Sequence, residues 1–442
     1  MSACKTKLVI GLLMKQAIRP VVLCCLLASP VVAAAETLHE AWLVALASHN
    51  RIAAASAERD AAEDDYAHSK AERLPRVDLN SAYTQFDEAP RFSFGSSFVS
   101  PPLFDGDSIL TTSALASLPL YPGGLLPHSI AAADASVRAA EHQLASVRQD
   151  IKLGVAVRYV QVLRAQRQLA VAKSNVTTLG AHTLDTKNQF EAGAVPRNDY
   201  LAATVSLANA ELGHLQAANA LDLANADYNR MLGRALDETV TLESALTIDA
   251  IAPLAQSLDE ATTLALAQRA ELAAFTAQAQ SLQNRSLAER ARSKPQLALA
   301  AGYNYLENDV LDDDQFWSIG IGFEWQLFDG GRSKKQASAL ARRASARQHQ
   351  RDDLARSIAL QVRQAWLDHD VALNRELVAR ASVQQATENL RVARDRYRAG
   401  AGTSTEVLDA ETLRTLSLNN RDNAELDVAL TSLTLLWAIG AL

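Results

Sequence analysis

The sequence has 442 residues; apolar residues make up 48% of it, but aromatic residues only 5%. Alanine supplies much of the apolar content, which favours closely packed long helices over a compact globule with a bulky core. The formal net charge of −7 gives no support to nucleic-acid binding.

Residues 1–35 predict a secretory signal peptide. Basic residues precede the apolar run VVLCCLLASPVVAAA, whose last three alanines form a cleavage site before Glu36. A membrane-anchoring helix is the weaker alternative, because the run is short and Pro30 interrupts it. Translation from Met14 would give a signal peptide of more ordinary length.

All three cysteines, Cys4, Cys24 and Cys25, lie inside this segment. The mature chain is therefore predicted to have no thiol, no disulfide and no cysteine metal site. Leu23 and Val22 are poor residues for a lipidation signal, so we expect ordinary cleavage rather than a lipidated N-terminus.

The mature chain contains an internal duplication. LYPGG at 120–124 aligns with LFDGG at 327–331, a shift of 207 residues that places Phe190 on Tyr397 and Gly193 on Gly400 without a gap. Upstream the shift is 220 residues, so the first copy has 13 additional residues, which fall in the segment APRFSFGSSFVSPPLFDGDS. The Pro, Gly and Ser content of that segment predicts a long surface loop.

We therefore predict two structural repeats, 36–233 and 261–442, joined by a linker at 234–260. Each repeat consists of a helix, a pair of strands and a long helical hairpin. The strand pairs are predicted at 77–120 and 296–327, and the hairpin tips near residues 193 and 400.

Strands of about ten residues with alternating apolar side chains are predicted in the second repeat. In WSIGIGFEWQL, residues 317 to 327, every second side chain is large and apolar, and QLALAAGYNYL alternates in the same way. A soluble half-buried sheet would give this pattern too. The strand length, the aromatic residues near the strand ends and the cysteine-free secreted chain favour transmembrane β-strands.

The helix that follows each strand pair is predicted to be very long and to pack as a coiled coil. Between Ile358 and Tyr397, residues spaced alternately by three and four positions form an apolar stripe that only Glu376 and His369 interrupt. The first repeat has the equivalent stripe between Ile151 and Phe190. A helix over residues 125–190 would be about 100 Å long. A rod or a tube needs such a helix, whereas a compact domain does not.

The duplication, the LFDGGR segment and YRAGAGTSTEVLDAETL at 397–413 together resemble the TolC-like outer membrane factor family over essentially the whole mature chain. The resemblance implies a mainly α-helical protein with a transmembrane β-barrel. It implies a homotrimer whose four strands per subunit form one twelve-stranded barrel, continued into the periplasm by an α-helical tunnel. Gly123, Gly124, Gly330 and Gly331 then lie where strand becomes helix, where glycine best tolerates the change of direction.

Glu406 and Asp409 lie one helical turn apart, just after the second tip. If they face the axis of a trimer, six carboxylates surround a narrow periplasmic mouth that favours cations. The alternative is a solvated helix N-terminus with acids placed favourably against the helix dipole. Both interpretations can hold together.

The family resemblance also implies hydrogen bonds between neighbouring hairpins that hold the mouth shut, with Tyr397 and Asp199 as one gating pair. A second clasp is in doubt, because Gly402 and Asn198 replace the basic and hydroxyl residues expected there. The tip turns at Gly193, Gly400 and Gly402 are expected to dock the hairpins of a periplasmic adaptor.

The sequence contains no phosphate-binding loop, no HExxH motif and no nucleophile elbow, so we expect a non-enzyme without cofactor or metal. An acidic loop, Asp309 to Asp314, is expected to be solvated. The predicted function is a passive outer membrane duct of a tripartite efflux or type I secretion system, with an adaptor and an RND, ABC or MFS pump as partners. The alternative is a periplasmic coiled-coil or adaptor protein without a pore, although adaptors usually carry one hairpin rather than two.

Overall fold

The computed structural model describes residues 35–88, 91, 107–244, 255–307 and 313–442. The predicted signal peptide, most of the extra loop of the first repeat and most of the acidic loop lie outside the described residues. The elements of the first repeat are, in order, α1 Leu38–Ser48, α2 Asn50–Ala71, β1 Arg76–Gln85, β2 Ser108–Tyr121, α3 Leu125–Glu191 and α4 Arg197–Leu232. Those of the second are α5 Leu258–Gln268, α6 Ala270–Ala291, β3 Gln296–Leu306, β4 Gln315–Glu324, α7 Arg332–Arg398 and α8 Ser404–Ile439.

The duplication is confirmed at the level of helix ends. The shift of 207 residues carries α3 onto α7 and α4 onto α8 residue for residue, and the shift of 220 carries α1 and α2 onto α5 and α6. The helix starts repeat as well: Thr37 accepts a hydrogen bond from the Glu40 amide (3.2 Å), and Ser257 accepts one from the Glu260 amide (3.2 Å).

Three details differ from the sequence predictions. The first helix of each repeat is two helices, because His49 and Arg269 take extended backbone angles and end one helix before the next begins. Helix α5 begins at Leu258, inside the predicted linker. Strand β4 ends at Glu324, and the segment up to Leu327 continues outside the ladder.

The four strands form one antiparallel sheet in the order β1-β2-β3-β4. The register places apolar residues of all four strands on one face, and two polar residues within that face, Ser81 and Thr112, hydrogen bond to each other (2.9 Å). This face is uncovered: the exposed fraction is 81% for Trp317 and 78% for Ile319. The other face is mostly small and polar, with Asn80, Ser113, Asn304 and Gly320 among its residues.

The four long helices lie in a row in the order α4, α3, α8, α7, so that α4 and α7 are its edges. Helix α2 packs against α3, and α6 packs between α3 and α7. The predicted coiled-coil stripe is confirmed, since every position from Ile358 to Tyr397 in that stripe is buried or half-buried. His369 lies in the contact between α7 and α8, where its Nδ1 atom is 3.2 Å from the Thr431 hydroxyl. None of the helices in the described part of the chain is both long and apolar enough to cross a membrane.

Candidate functional site at the hairpin tips

The two hairpin tips share one turn geometry. Gly193 and Gly400 have φ angles of 76° and 71°, which side-chain-bearing residues rarely adopt. At the first tip the Ala194 amide donates to the Gln189 carbonyl (2.8 Å), and at the second the equivalent Ala401 amide donates to the Arg396 carbonyl (2.8 Å). These bonds satisfy carbonyls that the helix ends would otherwise leave free.

Gly402 lies in a tightly packed part of the second tip. It has no positive φ angle, but a Cβ atom there would lie 3.2 Å from the Arg396 Cβ and 3.2 Å from a carboxylate oxygen of Glu406. The equivalent residue of the first tip is Val195, which packs against the apolar tip cluster of Leu390, Ala393, Tyr397, Val407 and Ala410. The two tips therefore have the same turn conformation but differ in the side chains that pack inside the turn.

Glu406 and Asp409 lie on the first turns of α8 and have different surroundings. The Glu406 amide donates to the Thr403 hydroxyl (3.3 Å), so Thr403 is the cap that the solvated-terminus interpretation requires. The Glu406 carboxylate is also 3.2 Å from the guanidinium of Arg396, which offsets part of its charge. The Asp409 carboxylate is exposed, and no described residue pairs with it.

Tyr397 and Asp199 have other partners within the single chain. The Tyr397 hydroxyl donates to Thr186 Oγ1 (3.3 Å) and the Tyr397 ring is buried, whereas Asp199 accepts from the side-chain amide of Asn198 (3.3 Å). Tyr397 thus joins the second hairpin to the first within one subunit. A gating pair between Tyr397 and Asp199 stays a prediction about the assembled protein.

The sequence analysis missed His182, which is buried between the two hairpins. Its Nε2 atom lies 3.0 Å from the hydroxyl of Ser404, and its ring makes an edge contact with Tyr397 at a centroid distance of 5.3 Å. Burial lowers the pKa of His182, the nearby Arg394 lowers it further, and Asp185 and Asp199 oppose this shift only in part. No sequence signal marks this residue, because its partners are more than 200 positions away.

Three further ion pairs lie near the tips, and two of them join different helices. Arg398 reaches Asp185 at 3.5 Å. Glu411 is only 1% exposed; its carboxylate lies 2.7 Å from the Arg414 guanidinium and 3.8 Å from that of Arg394. A buried carboxylate needs such partners, because its desolvation is costly when it is unpaired.

A polar groove runs between α4 and α8 with α3 as its floor. It encloses about 620 Å³. The buried oxygen atoms Thr415 Oγ1 and Asn419 Oδ1, on its α8 side, have no protein partner. Buried polar atoms are normally satisfied, so this groove suits water or a polar partner. The described residues hold no cluster of histidine and acidic side chains that could bind a metal ion.

The strand-to-helix turns contain the predicted glycines. All four have positive φ angles, from 62° at Gly123 to 93° at Gly124. At Gly123 a Cβ atom would also lie 3.0 Å from the Pro295 carbonyl oxygen, so the close approach of the second repeat requires glycine there as well.

Comparison with known proteins agrees with this architecture. The family model described as outer membrane efflux protein matches residues 44–234 and 261–441. The chain is 26% identical to the outer membrane protein TolC of Vibrio cholerae over 428 residues, which cover 92% of this chain and 91% of that protein. It is 27% identical to the cobalt-zinc-cadmium resistance protein CzcC of Cupriavidus metallidurans over 317 residues, 69% of this chain and 71% of that one. The crystal structure of the outer membrane protein VceC from Vibrio cholerae matches with a TM-score of 0.78 at 19% identity, covering 91% of this chain and 96% of that one.

Proposed function

The chain belongs to the outer membrane efflux protein family, and from this premise we propose that it is the passive exit duct of a tripartite efflux or type I secretion system. The observation that carries the proposal is the combination of an uncovered apolar sheet face with helical hairpins whose first helix is about 100 Å long. One part suits the lipid of the outer membrane and the other suits the periplasm. Within this proposal the mature chain begins at Glu36 after signal cleavage, and the two repeats are 36–233 and 261–442.

The sheet supports assembly into a barrel. A sheet that faces lipid cannot leave strand edges unpaired, because each free backbone group costs several kcal/mol in hydrocarbon. Strands β1 and β4 are the two edges of the four-stranded sheet. In a homotrimer, β4 of each subunit pairs with β1 of the next, and twelve strands close the barrel.

The edges of the helix row support the same assembly. Helix α4 exposes Leu201, Val205, Leu212 and Leu223, and α7 exposes Leu360, Leu367, Val371 and Val378. Both sets recur in steps of four, seven or eleven residues, which is the spacing of a coiled-coil seam. We propose that α4 of one subunit packs against α7 of the next and thereby closes the periplasmic tunnel.

The mouth of the tunnel lies at the tips in this proposal, where Asp409 and Glu406 form acidic rings. Because Arg396 offsets the charge of Glu406, Asp409 provides the stronger field. Tyr397 and Asp199 on neighbouring hairpins form the gating pair once three subunits meet.

The proposed periplasmic adaptor docks with its helical hairpins at the tips around Gly193, Gly400 and Gly402. The groove between α4 and α8 favours this arrangement, since polar side chains of an adaptor helix can satisfy Thr415 and Asn419. An RND, ABC or MFS pump in the inner membrane supplies the energy. Cysteine-scanning crosslinks that capture the adaptor far from both tips, and nowhere near them, would contradict this docking site.

The exported substrate is set by the pump rather than by this chain. One relative is named for cobalt, zinc and cadmium resistance. Metal ions are therefore one candidate cargo, together with drugs and secreted proteins.

The test is the single-channel conductance of the mature chain, 36–442, in a planar bilayer beside the double variant Glu406→Ala/Asp409→Ala. We expect a small cation-selective conductance whose selectivity weakens in the variant, because the acidic rings attract cations. Replacing Glu388, an exposed acid of α7, by alanine is the control and leaves the selectivity unchanged. A well-folded sample that never inserts would refute the duct, and a pore unaffected by the double variant would refute the acidic mouth.

A further inference from the structure

Helices α2 and α6 are equivalent, but they are buried to very different extents. Helix α6 packs between α3 and α7 and has nine buried residues, whereas α2 packs mainly on α3 and has one, Ile52. Ala274, Ala277 and Ser281 of α6 are no more than 4% exposed, while their counterparts Ala54, Ala57 and Ala61 are exposed. Since these residues are equally small in both helices, the difference comes from a neighbour that α2 lacks.

The internal repeat identifies that neighbour. Helix α3 has α2 on one flank and α6 on the other, whereas its counterpart α7 has α6 on one flank and, among the described residues, no equivalent helix on the other. In the trimer that rests on the proposed function, the free flank of α7 corresponds to the face of α3 that binds α6. The helix that fits there is α2 of the next subunit.

The contacts between α3 and α6 then give the register of the new contact. Ser136 is 2.9 Å from Ser281, Arg138 donates to Gln280 at 3.3 Å, and Asn284 donates to the Ala131 carbonyl at 3.2 Å. The shifts of 220 and 207 residues give the equivalent positions in the new contact. Asp60 and Asp64 of α2 are equivalent to Gln280 and Asn284 of α6, and Ala61 is equivalent to Ser281. On the other helix Ser136 becomes Arg343, and the buried Ala135 becomes Arg342.

The charges on the two faces are complementary. Arg342 and Arg343 are exposed and have no ion-pair partner among the described residues, and the same holds for Asp64. Asp60 pairs only with its neighbour Arg59, at 2.6 Å. The small side chains of Ala57 and Ala61 leave room for guanidinium groups on this face of α2. The equivalent face of α6 is covered by helices of the same subunit.

We propose that Arg342 and Arg343 of one subunit form an ionic seam with Asp60 and Asp64 on helix α2 of a second copy of this chain. The seam corresponds to the contact between α3 and α6 within a subunit, whose hydrogen bonds pair no charges of opposite sign. Charge pairs across an interface contribute more to specificity and register than to raw affinity. The seam therefore selects copies of this chain as partners and rejects subunits that lack the matching charges.

A charge-swap experiment on the full-length protein tests the seam. Arg342→Glu/Arg343→Glu reverses the basic face, Asp60→Arg/Asp64→Arg reverses the acidic face, and a third chain carries all four changes. Each reversal alone is expected to lower the fraction of trimer in detergent extracts at least tenfold, because like charges then face each other. The variant with all four substitutions is expected to recover most of the trimer.

Matched controls come from the internal repeat. Lys334→Glu and Asp65→Arg reverse charges at positions outside the proposed contact. The equivalent residues in the other repeat, Pro127 and Arg285, stay exposed although a neighbouring helix packs beside them, so both variants are expected to remain trimeric. Circular dichroism checks that every variant keeps its helices. The seam would be overturned if the arginine reversal and the aspartate reversal each formed trimers as well as the wild type. It would also be overturned if each reversal lost the trimer and the variant with all four substitutions did not recover it. A wild-type chain that is monomeric would instead refute the trimeric duct on which the seam rests.

Discussion

Each repeat has an arginine where its hairpin rejoins the helices at the start of the repeat, half-buried in the first repeat and buried in the second, but the two arginines come from different places. In the first repeat Arg234, just after α4, binds both carboxylate oxygens of Glu36 (2.6 and 3.0 Å), and Tyr228 donates to the same carboxylate (3.0 Å). In the second repeat Arg269, between α5 and α6, binds Glu271 (2.7 Å) and stacks on Trp437 at 4.5 Å. The residues that correspond to Arg269 and Trp437 in the first repeat are His49 and Arg230.

The comparison teaches that the backbone plan of the repeat does not dictate one set of buried charges. Arg269 also donates to the last carbonyls of α8, at 3.4 Å to Trp437 and 3.3 Å to Ala438, so it caps a helix end. The Arg234 side chain caps no helix end and instead holds Glu36, the first residue of the predicted mature chain, beside α4. The second arginine closes a hairpin, whereas the first secures the beginning of the chain.

The largest effect is expected from Arg269→Ala. Arg269 is 4% exposed, and its loss removes the ion-pair partner of the half-buried Glu271 carboxylate and a side-chain donor from the Trp437 and Ala438 carbonyls. Burial raises the pKa of Glu271, but the hydrogen bonds and the charge of Arg269, together with hydrogen bonds from the Glu271 backbone and Ser146, lower it overall. We expect a loss of about 3 kcal/mol in the free energy of unfolding, measured by chemical denaturation followed by circular dichroism. Arg391→Ala, which removes exposed pairs with Glu388 and Asp395, is the control and should leave the denaturation midpoint nearly unchanged.

Arg234→Ala is expected to cost less, about 2 kcal/mol, because the Arg234 side chain is 23% exposed and Tyr228 still donates to Glu36. Tyr228→Phe removes only that hydroxyl and should cost about 1 kcal/mol. If Arg234→Ala were as costly as Arg269→Ala, the contrast between a chain anchor and a helix cap would be wrong. The same denaturation measurement decides this.

The tip turns should respond alike in the two repeats. Gly193→Ala and Gly400→Ala each place a Cβ atom on a residue with positive φ, and each is expected to cost about 1 kcal/mol. Gly213→Ala is the control. It lies inside α4 with open space around it, and alanine there should stabilise the helix by up to about 1 kcal/mol. Unequal costs at the two tips would show that the turns are not equivalent.

The smallest effect concerns pH at the first tip. Because burial lowers the pKa of His182, the folded state binds its proton less readily than the unfolded chain does. The contribution of neutral His182 is therefore complete above about pH 6.5, the ordinary histidine value, and is lost as the pH falls through the lower pKa of the folded state. The second repeat has Asn389 at the equivalent position. His182→Asn should remove this pH dependence of amide exchange around the tips, and a pH profile identical to wild type would contradict the prediction.

Much of the fold could be predicted because the duplication is visible in short sequence motifs and in the spacing of apolar residues. The shift between LYPGG and LFDGG predicts the ends of α7 from those of α3, and the apolar stripe predicts the coiled-coil contact. The first-repeat strands were harder to assign, because Ser81 and Thr112 interrupt their apolar face. The register explains the interruption, since the two hydroxyls satisfy each other across the strands.

The helix breaks and the links between the hairpins could not be predicted. His49 and Arg269 end helices without proline or glycine, so no local signal announces the breaks. His182 and Ser404 are far apart in sequence, and a single buried histidine leaves no periodic trace. The position of Asp409 in the tunnel mouth depends on three subunits meeting, and it stays a prediction from the family resemblance.

That position can be tested most directly with a single cysteine. The mature chain is predicted to contain no cysteine, because all three lie before Glu36, so Asp409→Cys provides one unique thiol for a cationic thiol reagent. If three copies of residue 409 surround the mouth, labelling should reduce the single-channel conductance several-fold, while labelling of Glu388→Cys on α7 should leave it unchanged. A channel whose conductance does not change when position 409 is fully labelled would contradict the acidic mouth.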